Sequence, residues 1–163
     1  MDVLTVANVV LAGAAVVALV FGMLQVLVAV RDRRERLTIE VIRSVQTPEF
    51  TAHIMEFRDN PPPPSASEWQ NLPADVRRSH VHFLQQMEML GLLAYDGKID
   101  LELVERTLGD FVARTWRRFQ PILEEMRGSL DDPYLAEYFQ WLAQRIDERM
   151  RTHPRVPAHK ETA

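Results

Sequence analysis

Cysteine is absent from this chain. Disulfides, thiol nucleophiles and cysteine-ligated zinc or iron–sulfur centres are therefore excluded. A domain of ordinary size without a disulfide fits a reducing compartment. Lysine is nearly absent as well: 17 arginines stand against 2 lysines, a bias that fits GC-rich bacterial coding rather than chemistry. The few glycines form no G-x-x-x-x-G-K, G-x-G-x-x-G or G-x-S-x-G arrangement, so no phosphate-cradling loop or nucleophile elbow is written here. No alternating strand pattern is found either, nor an internal repeat.

The most informative absence is of charge. From Val3 to Val30 there are 28 residues without one ionisable side chain. At about 1.5 Å per residue this is roughly 42 Å of helix, more than the ~30 Å of a bilayer's hydrocarbon core. Asn8 and Gln25 are its strongly polar members, and each lies toward an end, where the cost of polarity is small. A cleaved signal would carry a positive start and a run of roughly 7 to 15 apolar residues. Here Asp2 precedes the run and no Lys or Arg does. The expectation is a transmembrane helix over residues 1–30.

Charge returns abruptly. Arg31, Arg33, Arg34 and Arg36 stand against Asp32 and Glu35, while residues 37–163 are acidic, with 15 Lys/Arg against 20 Asp/Glu. Basic residues flanking a span stay in the cytoplasm and sit at headgroup level. This predicts an outside N-terminus, a C-terminal part inside the inner membrane, and a topology and lipid-headgroup role for those four arginines. The acidic remainder argues against nucleic acid as a partner. Within the span, Ala7, Leu11, Ala14, Ala18 and Gln25 share a face, and Ala14, Ala18 and Gly22 form a small-xxx-small series of the kind that lets helices approach closely in lipid. These residues are the candidate helix–helix interface.

The rest reads as helices. Leu37, Val41 and Val45 extend the first helix into a basic juxtamembrane continuation over residues 31–46. Thr47-Pro48 is a cap followed by a first-turn proline, and Phe50, Ile54 and Phe57 follow at helical spacing to about Arg58. Pro61 to Pro64 form a stiff spacer. A helix from about Pro73 to Tyr95 carries Val76, Phe83, Leu84, Met87, Leu90, Gly91 and Ala94; Asp96-Gly97 is a turn and Asp100 caps the next helix. That helix is expected to kink or break at Pro121 and to close at Gly128, and Asp132-Pro133 to start the last one, which ends near Arg151. The fold class is all-α: one N-terminal transmembrane helix and a compact cytoplasmic bundle of three to four helices over residues 47–151, with a flexible tail over 152–163.

Chemistry is scarce. His80 and His82, two apart, point away from each other on a helix, and His53, His153 and His159 complete no metal spacing. The carboxylate pairs Glu124-Glu125, Asp131-Asp132 and Asp147-Glu148 are adjacent and diverge. Glu102 and Arg106 have the spacing of an ordinary surface pair. Trp116 and Trp141 read as core anchors, with Arg117 and Arg118 free for acidic residues of the last helix or for anionic lipid. No catalytic, cofactor-binding or metal residue is expected.

The stretch from about Phe83 to Ile146 resembles an uncharacterised bacterial family with one membrane helix, an arginine-rich junction and a helical domain. The resemblance rests on Phe83-Leu84, Met89-Leu90-Gly91, Asp96-Gly97-Lys98-Ile99-Asp100 with Leu103-Val104, Trp116, Pro121-Ile122, Arg127 and Tyr138-Phe139-x-Trp141-Leu142. It implies no activity, substrate or cofactor. The function expected is that of a non-catalytic, membrane-anchored interaction or scaffold protein binding a protein partner or itself. The alternatives are a self-assembling membrane oligomer, pore-like or effector-like, and an accessory subunit of a larger membrane complex.

Overall fold

The computed structural model describes residues 2–44, 47–156 and 160, and the side chains among them other than those of residues 3–10. The described residues form six helices and no strand. α1 (Val3–Ser44) is one unbroken helix of 42 residues, about 63 Å long. Nothing in it stops a helix: the first proline is Pro48, and Gly13 and Gly22 have open space where a Cβ would stand. The expected end near Gln46 lies outside the described residues.

α2 (Pro48–Asp59) begins as its sequence dictates, with the Thr47 side chain accepting from the Phe50 amide at 3.2 Å and proline in the first turn. The Pro61–Pro64 strap follows, then a short helix, α3 (Ala66–Gln70), capped by Ser65 and by Glu125, whose Oε2 accepts from the Ala66 amide at 2.7 Å. α4 (Ala74–Tyr95) ends in a tight turn with Gly97 at φ 65°, a left-handed conformation that glycine adopts without strain. α5 (Leu101–Leu130) is capped by Asp100, whose carboxylate accepts from the amides of Glu102 at 2.8 Å and Leu103 at 3.2 Å. α6 (Glu137–Thr152) closes the domain.

Three boundaries depart from the sequence reading. Pro121 does not end α5, and Gly128 lies inside it; the helix runs to Leu130 and stops at Asp131 in the left-handed region. Phe119 before the proline and Ile122 and Leu123 after it are buried, so packing on both sides of the lost hydrogen bond carries the helix through it. Asp132-Pro133 does not start α6 either. Asp132 Oδ1 accepts from the Tyr134 amide at 3.0 Å, making a local turn, and α6 begins after Ala136, which sits at φ 56° and has no capping side chain. The cap comes from another helix: Glu88 of α4 accepts from the amides of Tyr138 at 3.2 Å and Phe139 at 2.9 Å. A carboxylate at a helix N-terminus is favoured by both the free amides and the macrodipole.

The core is aromatic. Phe57 of α2 stacks on Phe83 of α4 at 5.7 Å and on Phe119 of α5 at 5.3 Å, and Trp116 meets Phe139 of α6 edge-on at 5.3 Å. Trp116 is the expected core anchor; Trp141 lies at the core's edge against Tyr95. α4 and α6 lie so close that a Cβ on Gly91 would overlap the Tyr138 carbonyl and stand 3.0 Å from the Phe139 amide nitrogen. His80 is buried beneath the proline strap: its Nδ1 accepts from the Trp69 indole at 3.1 Å and its Nε2 donates to the Asn60 carbonyl at 2.9 Å. Those partners fix the neutral ring, and burial holds its pKa below the ordinary histidine range, outweighing the Asn60 carbonyl and Glu56, which act the other way.

Two predictions follow from this packing. Gly91→Ala forces α6 off α4 and lowers unfolding stability by about 1–3 kcal/mol, as overpacking does. Gly128→Ala, in open helix, has the opposite sign at about 0.5–1 kcal/mol; denaturant melts of full-length protein in mild detergent read both. The pH effect runs through His80. The unfolded chain takes its proton near the ordinary 6.5 while the folded chain resists it, so the His80 contribution is full above that pH and is lost as pH falls below it. The melting temperature should drop from neutral pH toward pH ~5, and His80→Gln, which keeps a neutral donor and acceptor, should flatten that drop.

Candidate functional site

Two apolar surfaces of the molecule stand open, one along α1 and one on the domain. On α1, Leu11, Ala14, Ala18, Gly22 and Gln25 fall on one stripe of a continuous helix, and no part of the domain covers them; the side chain of Ala7 is outside the described residues. The opposite side of the helix carries the domain. Ala18 and Leu27, Gly22 and Arg31, and Gln25 and Arg34 are each nine residues apart, or two and a half turns, and so project from opposite sides.

The docking contact is specific. Thr38 is fully buried; its Oγ1 donates to the Arg34 carbonyl at 2.7 Å and accepts from the Asp100 amide at 2.7 Å. Arg34 Nε donates to the Ile99 carbonyl at 3.1 Å, and Ile42 is buried one turn beyond Thr38. The turn that caps α5 is thereby fastened to the first turns of α1 after the uncharged run. Of the four arginines that follow the uncharged run, Arg34 is thus a docking residue. Arg33 and Arg36 line a shallow hollow elsewhere on α1, with Ala29 and Leu37. The Glu102–Arg106 pair expected from spacing is not formed: among the described residues Arg31, Arg34 and Arg106 make no ion pair.

On the domain, α4 is apolar on two sides. One side is the core stripe of Phe83, Met87 and Leu90. The other carries Val81, Leu84, Met89 and Leu92 and forms one wall of an open groove of about 540 Å³, whose opposite wall is Ile122 and Met126 of α5 with Leu135. Trp69 of α3 closes one end. The groove is almost wholly apolar, Gln85 and Glu88 being its polar members, and Met89 is 55% exposed at its lip. A helix apolar all round is ordinarily buried all round.

The remaining polar side chains serve structure. Arg127 donates to the Leu135 carbonyl at 2.9 Å and to Gln140 at 2.6 Å, tying the α5–α6 turn to α6. Glu105, nearly buried, accepts from Arg149 at 2.5 Å, and that bond raises the Arg149 pKa above its ordinary value. Arg117 pairs with Asp147 of α6 at 3.4 Å, while Arg118 lies over the Phe57 ring. His53 stacks on His82 at 5.7 Å and bonds Ser79 at 2.9 Å, joining α2 to α4. Among the described residues no three His, Asp or Glu side chains gather closely enough to hold a metal ion. Sequence reasoning proposed the α1 stripe and the arginines. It missed the groove, although the signal was there: α4 has too many apolar residues for one face.

If Thr38 carries the docking, Thr38→Val removes the acceptor for the Asp100 amide at constant volume, a cost of roughly 1–3 kcal/mol. Hydrogen exchange should then speed up about ten- to hundredfold at Ile99–Leu103 and along the docked end of α1, and stay unchanged in α4 and α6. Exchange at Ile99–Leu103 unchanged from wild type would show that the contact holds nothing.

No curated protein and no solved structure matches the chain. Residues 9–146 match one family, described as "Domain of unknown function (DUF4760)", a range that takes in most of the uncharged run, the docking contact and the domain as far as the buried Ile146. The match reaches well beyond the stretch from Phe83 that carries the resemblance noted above, and by it the chain belongs to the DUF4760 family.

Proposed function

We propose that this protein is a single-pass, membrane-anchored interaction module of the bacterial inner membrane, without catalytic activity of its own. α1 crosses the bilayer with its N-terminus outside, and the helical domain, held in the cytoplasm, takes a helical segment of a partner protein into the groove between α4 and α5. The observation that carries this reading is the groove itself. A folded domain leaves the second apolar side of a long helix open, and exposed apolar surface of that kind marks a contact site. Its shape suits an amphipathic helix with anchors three and four residues apart. The span rests on the length of α1 and its mean hydropathy, 2.5 over its most apolar 18 residues, with its large apolar side chains exposed. The orientation rests on the arginines. The family match takes in residues 9–30, which supports reading the apolar helix as a part of the same unit as the domain.

A second reading has its own observation. The domain docks on one side of α1 and leaves the stripe of Ala14, Ala18 and Gly22 on the other. Two copies can therefore approach through that stripe without their domains colliding, which suits a self-assembling membrane oligomer. An accessory subunit of a larger complex would use either surface.

A photo-crosslinking side chain at Gln85, in native membranes, separates these readings. The expected adduct is with one heterologous protein, maps to a helical segment of it, and falls at least tenfold with Met89→Glu while the fold is unchanged. Arg114→Glu, on a different face, should leave it intact. An adduct indifferent to Met89→Glu refutes the groove. Adducts only with a second copy, obtained from a probe at Ala18 and lost on Ala18→Leu, move the function to self-assembly.

A further inference from the structure

We infer that the wedge between α1 and the start of α5 is a binding site for the phosphate of an anionic phospholipid. The inference rests on α1 spanning the membrane as proposed. The wedge encloses about 510 Å³. Three arginines reach it from two separate parts of the chain: Arg31 and Arg34 from α1, and Arg106 from the second turn of α5. None of the three has an ion-pair partner among the described residues. Arg34 is held in place through its Nε, which bonds the Ile99 carbonyl at 3.1 Å, so the rest of its guanidinium is presented at fixed orientation. Below the cations the wall is apolar, made by Leu27, Val30 and Leu103.

The formal charges lining the wedge balance, three guanidinium groups against Glu35, Asp100 and Glu102, but the groups do not pair. Asp100 is committed to the amides of Glu102 and Leu103, and among the described residues Glu35 and Glu102 form no ion pair with the three arginines. A ligand that satisfies the free guanidinium donors is a phosphate anion with aliphatic chain attached. The arginines offer planar forks of donors to its phosphate oxygens. Leu27 and Val30, the last apolar turn of α1 before the charge begins, meet its first methylenes. Position selects the same ligand, because the wedge opens where the uncharged run ends, at the level of the phosphates of the inner leaflet. The topology arginines do not form this site as a set: Arg31 and Arg34 face it, while Arg33 and Arg36 line the other hollow of α1. Arg106, remote in sequence from the span, has no part in topology and gains a purpose here.

The test uses full-length protein reconstituted in vesicles of mixed phosphatidylcholine and phosphatidylglycerol, extracted into mild detergent and weighed intact by native mass spectrometry. Wild type should retain one phosphatidylglycerol per chain in preference to phosphatidylcholine. Arg31→Gln and Arg106→Gln should each lower that retention about fivefold, and Arg33→Gln and Arg36→Gln should not. Equal losses in all four variants would reduce the effect to diffuse charge and overturn the site, as would retention without preference for the anionic lipid. Binding of inorganic phosphate alone, competing with the lipid at similar concentration, would reassign the wedge to a soluble anion. Alkaline carbonate extraction of the same vesicles reports separately on the span. A chain that washes off defeats the membrane reading itself, whereas a chain that stays in the bilayer yet holds no lipid defeats only the wedge.

Discussion

The hydroxyl of Thr38 decides how the two halves of this molecule stand to each other. It lies on a helix that is mostly exposed, yet it is fully buried, because the turn before α5 is packed against it. Its oxygen serves two purposes: it donates back to the Arg34 carbonyl of its own helix and accepts the Asp100 amide of the turn. The same Asp100 caps α5. One residue pair thus links the end of the uncharged run to the longest helix of the domain, and the orientation of α5, with the core and groove that depend on it, is referred to α1. The Arg34–Ile99 bond and the buried Ile42 act beside that link, and together they shape the wedge between α1 and α5.

The domain shows how far capping rules extend. Thr47-Pro48, Asp96-Gly97 and Asp100 are local devices: donor, acceptor and turn lie within three residues of one another, so the sequence displays them fully. α6 is capped by Glu88, fifty residues away. Nothing near Asp132-Pro133 can reveal that, and the local rule misplaces the helix start. Pro121 fails as a breaker for a similar reason. The proline costs a hydrogen bond, about 3 kcal/mol in an isolated helix, but burial of Phe119, Ile122 and Leu123 around it offsets a loss that sequence spacing alone counts in full. α3 was too short for periodicity to show, although Ser65-x-x-Glu68 has the spacing of a capping box.

The candidate contact surfaces divide in the same way. The uncharged run, its small-residue stripe and the arginines are properties of one helix, so composition and spacing reveal them. The groove needs α4, α5 and Leu135 together, and the wedge needs Arg106 beside Arg31; both depend on packing between residues far apart in sequence. What remained legible was a surplus. α4 carries Val81, Leu84, Met89 and Leu92 in addition to a complete core stripe, and an apolar set of that size predicts a second contact even before its location is known.

That surplus bears on the choice between a passive anchor and a contact protein. An anchor needs a span and a stable domain, and stability is already supplied by the aromatic core, the Glu88 cap and the close approach at Gly91. The exposed lip of the groove, Val81 and Met89, adds little to that stability. It leaves hydrophobic surface in water and gives any destabilised or crowded state a route to aggregation. Polar residues on the outer side of α4 would remove the hazard without disturbing Phe83, Met87 or Leu90, which face the other way. Retaining exposed apolar side chains there is therefore costly unless something covers them, and the proposed function supplies an occupant: a partner's helix confined to the same membrane surface.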